Sequence, residues 1–194
     1  MCRYKKLTVE ETLKIYETYM RKDFPPIELK PFSHIELMMN LGLYDSFAFY
    51  EEERFVGYAL CSENRKQDAV LLDYFAIASD LRGKGYGQKT LAMLWEIYRE
   101  HDMVILESEN PEFFEDEQDY EKKLRRVRFY EEKCGMTKCD FTTRLFGVEY
   151  VILAKGCRVK ADSDLVVQKL KEIYQVLVKP EAYQKHFLIR RERF

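Results

Sequence analysis

The chain has 194 residues, of which 46% are hydrophobic and 34% charged, and its formal net charge is −2. That length suits one domain with a substantial core, and the near-neutral balance gives no reason to expect a nucleic-acid or membrane partner. No apolar stretch reaches transmembrane length, and the N-terminus lacks the hydrophobic region of a signal peptide.

Taken in order, Arg3 to Leu7 reads as a first edge strand. Thr8, followed by Glu10 and Glu11, reads as a helix start with acids in the first turn. Leu13, Ile15, Tyr16, Tyr19 and Met20 supply the apolar stripe of that helix, and Phe24-Pro25-Pro26 ends it. Pro31 to Leu41 is predicted as a second helix, with Ser33 as a candidate cap and Gly42 as its stop. Ser46–Tyr50 and Phe55–Ser62 form a predicted hairpin around Glu51 to Arg54, and the chain turns again at Asn64 to Asp68.

The stretch from Val70 to Arg99 organises the rest. Val70 to Ile77 is an apolar run broken by Asp73, as expected for a strand buried on both faces. After a short polar link come Arg82-Gly83-Lys84-Gly85-Tyr86-Gly87 and Gln88, and then Leu91, Leu94, Trp95 and Tyr98 recur at helical spacing. Alternating glycines let a backbone approach a ligand closely. The first amides of the following helix lack internal acceptors and favour an anion. The unit is therefore a candidate phosphate cradle. It is not a Walker loop, because no Gly-Lys-Ser/Thr follows, and it does not read GxGxxG.

Met103 to Glu107 reads as a further strand, parallel to the first because a helix links the two. Asn110 to Tyr120 reads as an acidic loop, and a helix is expected from about Glu121 to Lys133. Its apolar face is Leu124, Val127 and Tyr130 (or Phe129), with Arg125, Arg126 and Arg128 opposite. Phe141–Phe146 and Tyr150–Leu153 form a last hairpin around Gly147. Asp162 to Val178 is an amphipathic helix, with Leu165, Val166, Leu170, Ile173 and Leu177 on one face, and Phe187 to Phe194 is a basic aromatic tail. The long apolar face requires a partner surface, on the same domain or on a second subunit. The cysteines at 2, 61, 134, 139 and 157 show no metal spacing, and five cannot all pair within one chain. Reduced thiols in a cytoplasm are the expectation.

The spacing Arg-x-x-Gly-x-Gly over Arg82, Gly85 and Gly87, entered from Phe75-Ala76-Ile77, resembles the acetyl-CoA motif of the GNAT N-acetyltransferase superfamily. Phe129 to Met136 (FYEEKCGM) resembles its FYEKxGF segment, and Ile105 to Pro111 its LEVE-type strand. The order of elements matches over roughly residues 1–156, and the chain looks like a group of bacterial members of undefined substrate. Two departures stand out. Lys123 occupies the place, seven residues before Tyr130, where an asparagine often stands, and the acidic loop is longer than usual.

The resemblance implies an α/β (α+β) fold: a mixed, mostly antiparallel sheet of about seven strands flanked by helices. It implies a GNAT domain over 1–156, leaving 157–194 as a C-terminal helical extension on the domain or at a homodimer interface. It also implies an N-acetyltransferase that uses acetyl-CoA as donor and no metal. The acceptor is an unidentified amine of a small molecule or peptide; a CoA-binding module without transfer activity is the alternative. By the same resemblance Phe75, Ala76 and Ile77 pair with the pantetheine arm, Arg82, Gly83, Lys84, Gly85, Tyr86, Gly87 and Gln88 hold the pyrophosphate, and Tyr130 protonates the leaving sulfur. The helix pair before the first hairpin then borders the acceptor pocket, which makes Tyr19, Phe24 and Phe32 candidate pocket residues. Acetyl transfer to an amine also needs a base. Glu107, Glu109, which points to the same strand face, and Asp73 are the candidates, and the acids at 107, 109, 112 and 115–117 suggest a cationic acceptor.

Overall fold

The computed structural model describes residues 2–191. One sheet of eight strands runs through it, in the order β1-β2-β3-β4-β5-β7-β6-β8. The strands are β1 Cys2–Lys6, β2 Tyr44–Glu51, β3 Arg54–Glu63, β4 Ala69–Ile77, β5 Met103–Glu109, β6 Thr137–Leu145, β7 Val148–Gly156 and β8 Phe187–Arg191. Only β4 and β5 pair in parallel; every other neighbour is antiparallel. The helix between those two strands forces this, since a parallel return needs a crossover.

Alternation along the central strands divides the core. Leu71, Met103 and Ile105 point to one face, where α1 (Val9–Ile15), α3 (Phe32–Asn40) and α6 (Ser163–Leu177) pack. Val70, Leu72, Val104 and Leu106 point to the other, covered by α4 (Tyr86–Ile97) and α5 (Glu117–Arg128). The central strand is thus buried on both faces, as its apolar run implies.

Helix starts follow local chemistry. Thr8 and Glu11 form a reciprocal capping box on α1. The chain continues through a π-helical turn, Tyr16–Met20, and α2, Arg21–Asp23, to the prolines. Ser33 caps nothing: it lies inside α3, whose N-cap is Pro31 without a side-chain bond.

Three expectations are corrected. The sheet has eight strands rather than about seven, because Phe187–Arg191 pairs with β6. The short helix α7 (Pro180–His186) turns the chain back to that edge, and buried Phe187 stacks on Tyr174 at 4.5 Å. The last three residues of the predicted tail lie outside the described part. The helix expected at about Glu121 begins at Glu117, inside the supposed acidic loop. The Asp116 side chain accepts from the Asp119 amide at 2.9 Å, and acids in a first turn complement the helix dipole. Its far end is not α-helical: Phe129–Lys133 widens into a π-turn.

Candidate functional site

The site begins where the central pair comes apart. β4 pairs with β5 from Ala69 to Leu72, while its pairing with β3 runs on to Ile77. Between Leu72 and Tyr74 the register with β3 slips, leaving Asp73 as the extra residue of a bulge. Bulges bend a strand and re-aim its side chains, commonly beside active sites. Beyond the bulge, β4 leaves β5, which stays paired with β7 through Glu109. A cavity of about 1080 Å³ opens in the gap.

Eight of the fourteen residues proposed to bind the donor or act in catalysis line this cavity: Asp73, Phe75, Ala76, Ile77, Arg82, Glu107, Glu109 and Tyr130. Gly83, Lys84, Gly85, Tyr86, Gly87 and Gln88 do not; they form the turn and first residues of α4. Gly83 and Gly85 hold φ values of 75° and 82°, and a Cβ on either would meet nothing within 4 Å. The turn is an open cradle, and α4 starts at Gly85 without a side-chain cap, so its first amides remain available. Gly87 answers a different need: a Cβ there would lie 3.0 Å from the Phe129 ring. Arg82 is braced from behind, its Nε donating to the Ile77 carbonyl at 2.9 Å and its guanidinium pairing with Asp23 at 3.0 Å. Tyr86 donates to Glu51.

The carboxylates differ sharply in their company. Asp73 takes Lys30 Nζ at 2.7 Å and the Tyr44 hydroxyl. Burial works against the Lys30 charge, but the Asp73 carboxylate outweighs it and holds Lys30 above the usual lysine range. Glu109 pairs with Arg126 at 2.9 Å and lies 3.6 Å from Lys123. Glu107 has no cation within salt-bridge distance among the described residues: Thr143 donates to its Oε1 at 2.9 Å and Tyr174 to its Oε2. Burial pushes Glu107 up to about 7, against those two hydrogen bonds, which favour the charged form. Glu28 also lines the cavity, and burial raises its carboxyl, with the Glu109 charge adding to the effect. Tyr130 is buried, and burial pushes its hydroxyl up to about 12 despite nearby Arg126, so it keeps its proton at neutral pH.

Of the aromatic pocket candidates, Phe24 lines the cavity. Tyr19 stacks on Phe55 and Phe32 packs edge-on against Tyr16. Arg125 and Arg128 are exposed, whereas Arg126 turns inward. Lys123 is buried, donating to the Phe113 carbonyl at 2.8 Å and pairing with Asp119 at 2.7 Å. It pins the acidic segment to α5. Lys30, Thr143, Tyr150 and Tyr174 are site residues that sequence reasoning missed.

A diverging parallel pair and a buried tyrosine at a π-turn border one cavity, and an open glycine turn on an uncapped helix follows the strand that lines it. The family model for the Acetyltransferase (GNAT) family matches residues 9–136. This chain belongs to the GNAT acetyltransferase family. It is an acyltransferase whose family uses acetyl-CoA as the acetyl donor. Solved structures share its fold. A protein assigned to the family from Bacteroides thetaiotaomicron aligns with a TM-score of 0.67 at 22% identity, over 91% of this chain and 99% of that one. The ribosomal-protein-S18-alanine N-acetyltransferase of Escherichia coli gives 0.58 at 15%, over 83% and 97%. A Bacillus subtilis acetyltransferase in complex with CoA gives 0.54 at 13%, over 80% and 99%. No curated protein matches the chain. No helix of the described residues is long and apolar enough to cross a membrane.

The residues of this acetyltransferase fit the donor. The open positions above Gly83 and Gly85 leave room for a pyrophosphate at the start of α4, and the unpaired side of β4 beyond Leu72 leaves backbone for an extended arm.

Proposed function

We propose that the enzyme transfers acetyl from acetyl-CoA directly to a primary amine, with Glu107 as base and Tyr130 as acid. The reading assigns the pyrophosphate to residues 82–88 and the pantetheine arm to Phe75, Ala76 and Ile77. Bound acetyl-CoA supplies the thioester. Glu107 accepts the proton of the incoming ammonium, the amine nitrogen attacks the thioester carbonyl, the C–S bond breaks as Tyr130 gives its proton to the sulfur, and the second proton, shed by the acetylated nitrogen, returns to Tyr130.

The observation that carries the choice of base is the inequality among the three carboxylates. Asp73 is neutralised by Lys30 and Glu109 by Arg126, which leaves neither free to hold a second positive partner cheaply. Glu107 is met only by hydroxyl groups in the described residues, and it titrates near the operating pH, where a base is most effective. The chain's five cysteines are free thiols, which suits work in a reducing cytoplasm.

The test is calorimetry with acetyl-CoA, followed by release of free thiol in the presence of an amine panel. Micromolar binding that Gly85→Asp abolishes, together with amine-dependent thiol release, supports the reading. Binding without release for any amine would leave a CoA-binding module in its place.

A further inference from the structure

The family match ends at residue 136, yet the cavity is completed well beyond it. Tyr174 and Leu177 of α6, Val178 and Lys179 of the link, and Ala182 of α7 form one wall. Leu145, Phe146 and Val148 of the last hairpin face the same space. Apart from Tyr174 and Lys179 these groups are apolar. This end can bury a hydrocarbon body.

The charges restrict what that body carries. Asp23 is matched by Arg82, Asp73 by Lys30 and Glu109 by Arg126. Two carboxyls remain, Glu28 and Glu107. The Glu28 side chain is met by the Tyr150 hydroxyl at 3.4 Å. Tyr150 links the acids: its hydroxyl reaches Glu28, and the charges of Glu107 and Glu109, which line the same cavity, also act on it. Facing Glu107 are Tyr174 from α6, Thr143 from β6, Asp73 from β4, Tyr150 from β7 and Lys30 from the loop before α3. Against the two unmatched acids stand two cations with no acid of their own in the lining, Lys122 and Lys179. A polycation finds no surplus of negative charge, and Lys179 opposes a second ammonium at the apolar end.

We propose that the α6–α7 segment builds the acceptor subsite, and that the acceptor is a primary amine with one positive charge and an apolar body. The amine lies between Glu28 and Glu107, and the body lies against Leu177, Val178, Ala182 and Phe146. The proposal rests on reading the cavity as the acetyl-transfer site.

The test compares n-alkylamines from ethylamine to hexylamine with 1,6-diaminohexane, which adds only a distal ammonium. Two readouts are taken: thiol release from acetyl-CoA, and calorimetric binding of the amine to the CoA complex. Each added methylene should raise affinity about fourfold, and hexylamine should exceed diaminohexane at least tenfold. Lys179 is exposed, so Lys179→Glu keeps the fold; it should narrow that ratio at least threefold by favouring the diamine. If hexylamine binds with these preferences but releases no thiol, the subsite stands and the transfer reading fails. A flat response to chain length, a preference for the diamine in the unaltered enzyme, or a ratio that ignores Lys179→Glu overturns the subsite.

Discussion

Replacing Glu107 by Gln should cost activity and add stability, with the second effect set by pH. Gln keeps the shape and can still accept from Tyr174 or Thr143, but it cannot take a proton. Turnover should fall about 10²–10⁴-fold, the range for a lost general base. The stability effect follows from burial, which moves the carboxyl from an ordinary 4.5 to about 7 in the folded state. The folded protein therefore holds this proton more tightly than the unfolded chain. The associated stability is present in full below pH about 4.5 and is lost as pH rises through about 7. A shift of that size corresponds to up to about 3 kcal/mol. For a chain of this length each kcal/mol moves the melting temperature by about 2–4 °C. Glu107→Gln should thus melt about 6–12 °C above the unaltered enzyme at pH 8.5, and level with it near pH 4.5. Calorimetric melting across that range is the assay. A melting difference that does not change with pH, or retained turnover, would refute the assignment of a partly buried, proton-accepting Glu107.

Three further outcomes are expected. Tyr174→Phe removes one hydrogen bond to the charged form of Glu107, an interaction of about 1.5–3 kcal/mol, so the acid limb of the rate profile should move up by about 1–2 pH units; an unmoved limb would break the link between α6 and the base. Tyr130→Phe should leave acetyl-CoA binding intact in calorimetry while turnover drops about 10²–10⁴-fold, and turnover equal to the unaltered enzyme would remove Tyr130 as the acid. Truncation after Gly156 would remove the Val166, Leu170, Ile173 and Leu177 face and so uncover the sheet surface it covers. Light scattering should then report aggregation and the melting transition should fall or vanish; an unchanged transition would make the segment dispensable to the fold.

The sequence alone determined what depends on near neighbours. The apolar run at 70–77, the glycine turn and the helical period after it lie within thirty residues, and they yield strand, cradle and helix without outside help. The pairing of Thr8 with Glu11 and the helix stop before Pro25 are equally local. Local reading failed where several starts were chemically acceptable. The acidic stretch before Glu121 could be solvated loop or first helical turn, and the buried Lys123, reaching Phe113 and Asp119, fixes it as helix. It failed again at Phe187–Arg191, a short basic run that becomes a strand only because β6 offers an edge.

The division among the carboxylates was decided by tertiary structure. All three were visible as candidates, but their partners come from far along the chain: Lys30 meets Asp73 across 43 positions, Thr143 meets Glu107 across 36, and Tyr174 meets Glu107 across 67. Proton affinity depends on burial and on the charges within a few ångströms. Neither is a property of a residue's own neighbourhood in sequence, so the fold had to bring these groups together before the three acids could be told apart.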